Sequence, residues 1–169
     1  MNQTDLVLEF RWASALGVSV VLFLLSGILH ILIGILTPLA VDSEFSRRIL
    51  MISNRADSAF FGIEPTQLLQ QTPELVKLRT VLSRVIGGWL ITIGMFTVAV
   101  TWFGLRNFQT WSLFTLAGSG AVLALFWILA IRQYLQADVH IQVAELPPIF
   151  WIPAATLVPA IILGWVGLR

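Results

Sequence analysis

The sequence has no cysteine and few charged residues, and its long apolar stretches contain no Asp, Glu, Lys, Arg, Asn or Gln. Without cysteine the chain cannot form disulfides, offer a thiolate nucleophile or supply sulfur ligands to zinc or an iron–sulfur cluster. Only 11% of the 169 residues are charged, and 10 basic against 9 acidic residues leave a net charge of +1. Because no basic face can be built from so few charges, the composition argues against nucleic-acid binding.

Four apolar stretches fill most of the chain, at residues 13–41, 85–103, 110–131 and 149–168. Each is close to or above the length of about 20 residues that a helix needs to cross the hydrocarbon core of a bilayer. The hydrophobic share of 57% also lies outside the range of ordinary soluble domains. We therefore predict an all-α integral membrane protein, in which residues 1–169 form a single four-helix bundle.

The charged residues predict an orientation for this bundle. Segments 42–84 and 132–148 lie on one side of the spans, called side B, and the termini lie on side A. Side B carries most of the basic residues, which are Arg47, Arg48, Arg55, Lys77, Arg79, Arg84 and Arg132. Since basic loops favour the cytoplasm, the positive-inside rule predicts that segments 42–84 and 132–148 are cytoplasmic.

The tryptophans favour the same four spans. Indole rings prefer the two membrane–water interfaces, where the ring is apolar and its N–H stays hydrated. All seven tryptophans fall toward one end or the other of a proposed span. Those near side A are Trp12, Trp102, Trp111 and Trp165, and those near side B are Trp89, Trp127 and Trp151.

Segment 42–84 should form an interfacial helical loop between the first and second spans. Residues 44–53 have apolar side chains at helical spacing with arginines offset from them, which predicts a short amphipathic helix at the membrane surface. A solvated connector would explain the same residues. Thr72 and Pro73 then have the pattern of a helix start, with Thr72 as the N-cap, and this helix should continue into the second span.

His30 is the one ionisable residue in the four stretches. Ser26, Gly27 and Gly34 lie three or four residues from it, so the imidazole should sit in a notch between glycines on one helix face. The notch could admit a flat macrocycle, with His30 as axial ligand of haem or chlorophyll. It also admits a second helix packed over the ring, which is the interpretation that we favour. We predict no resident cofactor and keep His30 as the one candidate cofactor-binding residue.

Small residues indicate where helices can approach each other closely. In lipid, helix association depends on packing, and small residues spaced by four let two backbones touch. The residues predicted to lie at helix contacts are Ser26, Gly27, Gly34, Gly87, Gly94, Gly120, Ala124, Ala160 and Gly164. Whether these surfaces face each other, a second copy or another membrane subunit is left open by the sequence.

The sequence shows no arrangement typical of catalysis. The spans have no Asp, Glu, Lys, Arg, Asn or Gln well inside them, which argues against proton-coupled or ion-coupled transport. We assign no catalytic residue, no metal site and no enzyme activity. The titratable side-B residues have no recognisable spacing and are interpreted as solvated loop charges; they are Asp57, Glu64, Glu74, Asp138, His140 and Glu145.

The layout of glycines and prolines resembles that of small DoxX-like bacterial four-helix membrane proteins over about residues 14–104. The residues that carry the resemblance are Gly27, His30 and Pro38, then Gly62, Pro65 and Pro73, then Gly87, Gly88 and Gly94. The resemblance implies a bacterial inner-membrane protein, and some members of that group are linked to redox or quinone-associated complexes. The longer loop and longer second helix depart from the family's compact pattern, so no site residue is carried over.

From these observations we expect a structural or accessory subunit, or a small assembly factor, of a membrane complex. Its partners would be the lipid bilayer and either other membrane subunits or a second copy of the chain. One alternative is a haem-, chlorophyll- or quinone-binding subunit of an electron-transfer complex that uses His30. The other is a lipid-modifying or lipid-carrying membrane protein.

Overall fold

The computed structural model describes residues 10–146 and 148–169, and for residues 148–154 it describes the helical backbone only. Every regular element in these residues is helical, which confirms the predicted all-α class. Residues 1–9 and 147 of the predicted domain lie outside the described residues. The α-helices are α1 (Ala15–Ala40), α2 (Glu44–Arg47), α3 (Asn54–Phe61), α4 (Pro65–Gln71), α5 (Pro73–Phe103), α6 (Thr110–Gln136) and α7 (Pro148–Gly167), with 3₁₀ turns at Leu105–Asn107 and Val143–Glu145.

Three of these helices are long and apolar enough to cross a membrane: α1, α6, and α5 together with the turn that follows it. Helix α1 has 26 residues and α6 has 27. At a rise of 1.5 Å per residue each is about 40 Å long, against about 30 Å for the hydrocarbon core. The predicted spanning length and composition are thus confirmed for three helices. The described apolar part of α7, Ala155–Gly167, is shorter.

Helix α1 is central, because it packs against α5 on one face and against α7 on another. Gly27 lies against Gly94, and Gly34 lies against Gly87, so α1 and α5 run in opposite directions. Helix α7 is also antiparallel to α1. Helix α6 contacts α5 and α7 only sparsely and is the least buried of the long helices.

The segment 42–84 on side B contains three short helices before α5 begins. The prediction of one amphipathic helix over residues 44–53 is wrong beyond Arg47. Helix α2 has four residues and ends there. The next residues leave the helix because the Asp57 carboxylate accepts hydrogen bonds from the backbone N–H groups of residues 50–52. Ser53 then caps α3 by accepting a hydrogen bond from the N–H of Ala56 at 3.1 Å.

Helix α5 begins at Pro73 as predicted and runs without a break to Phe103, but the predicted cap is absent. Thr72 makes no side-chain cap hydrogen bond, and its ψ is 81°. Ser14 and Ser53, whose hydroxyls do cap helices, have ψ of 165° and 160°. The N–H of Thr72 instead bonds to the carbonyl oxygen of Leu68 and closes α4, which explains the different backbone angle.

At side A two arginines lie over aromatic rings. The Arg106 guanidinium carbon is 4.3 Å from the ring centroid of Trp102 and 5.9 Å from that of Trp12. That of Arg169 is 4.9 Å from the Trp165 ring. Such cation–π contacts bring charge and indole together at this end of the helices. The side chain of Trp151, predicted near side B, lies outside the described residues.

Candidate functional site: a cavity at the side-B ends of the helices

Two pairs of glycines bring the α1 and α5 backbones into contact. A Cβ added at Gly94 would lie 2.5 Å from the carbonyl oxygen of Gly27, and one added at Gly87 would lie 2.6 Å from that of Gly34. Both distances are shorter than any ordinary contact of a Cβ, so a larger residue at these positions would push the helices apart. We call these four residues the glycine seam.

His30 is buried beside the glycine seam, with 7% of its surface exposed. Its Nδ1 lies 2.7 Å from the carbonyl oxygen of Ser26. A carbonyl oxygen can only accept, so Nδ1 donates, and in a neutral ring Nε2 is left as the acceptor. The backbone of α5 fills the notch between Gly27 and Gly34. The geometry therefore favours a second helix, rather than a flat macrocycle, as the occupant of that notch.

The remaining small residues singled out in the sequence lie on α6 and α7. Ala160 is fully buried, and its carbonyl oxygen accepts a hydrogen bond of 2.6 Å from the Ser19 hydroxyl of α1. A Cβ added at Gly164 would lie 2.8 Å from the same hydroxyl. Gly120 of α6 lies against a leucine of α7, and Ala124, one turn later, is exposed.

A buried carboxylate organises side B. Asp57 is 0% exposed, and its Oδ2 accepts hydrogen bonds from the N–H groups of Leu50 and Met51 at 2.7 Å and 3.0 Å. Its Oδ1 accepts from the N–H of Ile52 at 3.3 Å and from the hydroxyl of Tyr134 at 2.8 Å. Since Tyr134 belongs to α6, this carboxylate joins the first side-B segment to the end of a long helix. We call this group of five residues the Asp57 junction.

A second contact ties the same segment to the third loop. Nε of Arg55 lies 2.5 Å from Oε1 of Glu145, and Nη2 of Arg55 lies 2.7 Å from Oε2 of Glu145. The same Nη2 also donates to the carbonyl oxygen of His140. The hydrogen bond from Arg55 lowers the pKa of Glu145, because it stabilises the carboxylate form. The first side-B segment is therefore tied to the end of α6 by Asp57 and to the loop after α6 by Arg55.

The titratable side-B residues do not converge on one site. Asp57 and Glu145 are occupied in the two contacts described above. In the described part of the chain no group of three or more His, Asp or Glu side chains is placed to hold a metal ion. Glu64 occupies the N-cap position of α4 without a side-chain cap hydrogen bond, and Asp138 has a left-handed φ of 56°.

A cavity of about 780 Å³ lies at the side-B ends of α1 and α5. Its walls are the last turns of α1, residues 45–51, the first turns of α5, and single side chains from α3, α4 and α6. The lining is mostly leucine, isoleucine and aromatic side chains. Pockets of about 300–1,000 Å³ with an apolar lining and few polar groups are typical of ligand sites. We call it the side-B cavity.

Arg79 is the only charged residue among the described residues that line the side-B cavity. It is half-buried, and its Nη2 donates to the carbonyl oxygen and, at 2.6 Å, to the hydroxyl oxygen of Ser46. Within the described ranges no carboxylate lies within 4.0 Å of it, and its Nε and Nη1 have no hydrogen-bond partner. A cation with spare donors therefore faces an apolar space.

Sequence reasoning missed Arg79, which it used only as one of the basic residues of side B. The sequence does contain a pattern that distinguishes Arg79 from the other basic residues of side B. Arg79 lies four residues after Leu75 and three before Leu82, so it falls within the apolar face of α5 and not opposite it. A cation placed on the apolar face of an amphipathic helix faces whatever that face packs against. Trp127 also lines the cavity from α6.

No protein family, no curated protein and no solved structure matches the chain. The resemblance to DoxX-like proteins therefore stays a prediction.

Proposed function

We propose that this chain is a four-span integral membrane protein of the bacterial inner membrane that holds a lipid in its side-B cavity. The cavity carries the proposal, because an apolar space of about 780 Å³ with a single cation lies at the ends of membrane-spanning helices. Apolar walls favour a hydrocarbon chain, and the cation favours a polar headgroup beside it. This is the lipid-carrying function among the alternatives that the sequence left open.

The depth of the cavity supports a lipid ligand. Its wall on α1 extends from Ile33 to Ala40, the last residue of that helix. By helix rise these positions are about 10 Å apart along the axis. The cavity thus covers the depth at which a bilayer changes from headgroups to hydrocarbon, so a lipid could occupy it with little change in its depth in the membrane.

The contacts of α7 support a fourth span. It has 20 residues, which corresponds to about 30 Å and matches the hydrocarbon core. It follows a loop that is fastened to α3 at side B, and its last turns lie against the first turns of α1, where Gly167 contacts Leu16. The same path would return the chain to side A.

Cysteine labelling tests both the orientation and the fourth span, since the chain has no native thiol. Gln70, Gln109 and Arg169 are exposed and lie at side B, side A and the end of α7. In intact cells an impermeant thiol reagent should label Gln109→Cys and Arg169→Cys but not Gln70→Cys. Labelling of Gln70→Cys alone would reverse the orientation. If Gln70→Cys and Arg169→Cys are both labelled or both protected, the two positions lie on the same side of the membrane and the chain has three spans.

Lipid retention tests the cavity. Ser83 lines it, and tryptophan at this position would fill part of the space. The matched control is Ser119→Trp, because Ser119 is exposed on α6 outside the cavity. Native mass spectrometry of protein purified in a mild detergent should show bound lipid in the wild type and in Ser119→Trp, with loss in Ser83→Trp. Equal retention in all three would rule the cavity out as the lipid site.

A structural or accessory subunit of a membrane complex is the second candidate, and the exposure of α6 favours it. This helix of 27 residues packs only sparsely against α5 and α7, so most of its apolar surface is open to lipid or to another membrane protein. Cross-linking through cysteine at Ala124, which is exposed on α6, would capture a neighbouring subunit or a second copy. Absence of any cross-linked product in native membranes would count against this role.

A further inference from the structure

We propose that Arg79 binds the phosphate of an anionic phospholipid, so that the side-B cavity selects phospholipids of net negative charge over zwitterionic ones. The inference rests on the proposed function, since it names the class of lipid that the cavity holds. It combines three observations: the apolar lining, the single cation on the wall, and the donors that this cation has free.

The hydrogen bonds of Arg79 leave part of its guanidinium available. The group has five N–H donors in a fixed plane. Both hydrogen bonds use Nη2 and end on Ser46 of α2. Nε and Nη1 together keep three donors, which suits the oxygens of a phosphate. Ser46 thus holds the side chain in one position while the remaining donors stay open to a ligand.

The electrostatics favour a ligand with net negative charge. Within the described residues no carboxylate lies within 4.0 Å of Arg79, and the more distant charges of Asp42 and Arg47 act on it in opposite directions. The half-buried guanidinium thus has no counter-ion at contact distance, which is unfavourable. An anionic lipid supplies a negative charge at contact distance. A zwitterionic lipid brings its own cation, for which the described lining offers no carboxylate. The difference between the two lipid classes should therefore be large.

The apolar walls identify the phosphate as that of a lipid. Leu75, Leu78 and Leu82 line the cavity on the same helix as Arg79. A free phosphate ion would gain nothing from these side chains, whereas an acyl chain packs against them and keeps the apolar environment that it has in the bilayer. Headgroup and chain thus find partners on one helix face, a few residues apart.

The test is a competition between two lipids in the purified protein. The protein is exchanged into mixed micelles that contain equal amounts of phosphatidylglycerol and phosphatidylcholine of identical acyl chains, and native mass spectrometry counts each bound lipid. The variant is Arg79→Gln. The control is Arg84→Gln, which makes the same change of charge on the same helix at an exposed position outside the cavity.

We expect the wild type and Arg84→Gln to prefer phosphatidylglycerol by on the order of 10-fold, because both lipids offer a phosphate to Arg79 but only phosphatidylcholine brings a second cation beside it. Arg79→Gln should bind both lipids equally, and Arg79→Lys should recover part of the preference because it keeps the charge. A preference that survives in Arg79→Gln, or is missing from the wild type, would overturn the inference.

Ser83→Trp separates this inference from the proposed function. If that variant loses both lipids while Arg79→Gln keeps the preference, the cavity holds lipid and only the role of Arg79 is wrong. If Ser83→Trp retains both lipids as the wild type does, the cavity is not the lipid site and the proposed function fails. Circular dichroism and gel filtration of each variant verify that the fold is intact, so that a lost lipid reports the cavity.

Discussion

Alanine at Gly87 and alanine at Gly88 should change the stability of the protein in opposite directions, although the two positions are adjacent in α5. Gly87 belongs to the glycine seam, whereas a Cβ at Gly88 would have no atom within 4 Å. Both substitutions replace glycine by alanine in the interior of the same helix. The pair therefore separates the effect of close packing from the effect of the residue type.

The structure gives the expected size of the difference. A Cβ at Gly87 would lie 2.6 Å from the carbonyl oxygen of Gly34. This contact is about 0.7 Å shorter than the closest ordinary C–H···O contacts between helices. Overpacking of this kind costs about 1–3 kcal/mol. Alanine at either position gains up to about 1 kcal/mol from its higher helix propensity. Because that gain is common to both variants, they should differ by about 1–3 kcal/mol, with Gly88→Ala the more stable.

Reversible unfolding in mixed micelles, followed by tryptophan fluorescence or circular dichroism, measures this difference. We expect the order of stability to be Gly88→Ala at or above the wild type, and Gly87→Ala below it. Gly118→Ala provides a second open position, on α6, which also has no atom within 4 Å of an added Cβ. Equal stability of the two neighbouring variants would refute the close contact between α1 and α5 and the register on which it depends.

Three further predictions concern the side-B contacts and His30. Tyr134→Phe should destabilise the Asp57 junction by about 1.5–3 kcal/mol, which is the contribution of a hydrogen bond to a charged group. Amide hydrogen exchange at residues 50–52 should then become faster, and unchanged exchange would contradict this prediction. Arg55 lowers the pKa of Glu145 below its ordinary 4.5, so their contact stabilises the folded chain above that pH, and this stabilisation is lost as the pH falls through the folded-state pKa. Amide exchange at the two side-B loops should therefore become faster, beyond its intrinsic pH dependence, as the pH is lowered from about 6 to about 3. Glu145→Gln should remove this additional pH dependence. Visible absorbance of the purified protein should be the same in the wild type and in His30→Ala, and a Soret or chlorophyll band that disappears in the variant would instead favour a cofactor on His30.

The sequence predicts the long helices well because their information is local. Length, apolar composition and the breakers between stretches are enough for α1, and the pattern at Pro73 is enough for the start of α5. The spacing of the glycines is equally visible. The sequence does not show which glycine of α1 faces which glycine of α5, because that register depends on how the two helices slide against each other during packing.

Side B was predicted less well because its structure depends on contacts between residues far apart in the chain. The amphipathic pattern over residues 44–53 is real, but a carboxylate later in the sequence takes the N–H groups that a longer helix would use. Asp57 and Tyr134 are separated by 77 positions, and no spacing rule connects them. The same limit applied to Arg79, whose partner Ser46 lies 33 positions earlier.

The Asp57 junction has a mechanical consequence for the side-B cavity. Leu50 and Met51 line the side-B cavity, and their N–H groups are bound to the same carboxylate that binds Tyr134 of α6. One wall of the cavity is therefore coupled to a helix that has few other contacts in the bundle. A neighbouring protein that shifted α6 would move this wall through the Asp57 carboxylate and through the stacking of Tyr134 on Phe60, and it would carry Trp127 of the cavity lining along. It would thus change the width of the side-B cavity without entering it.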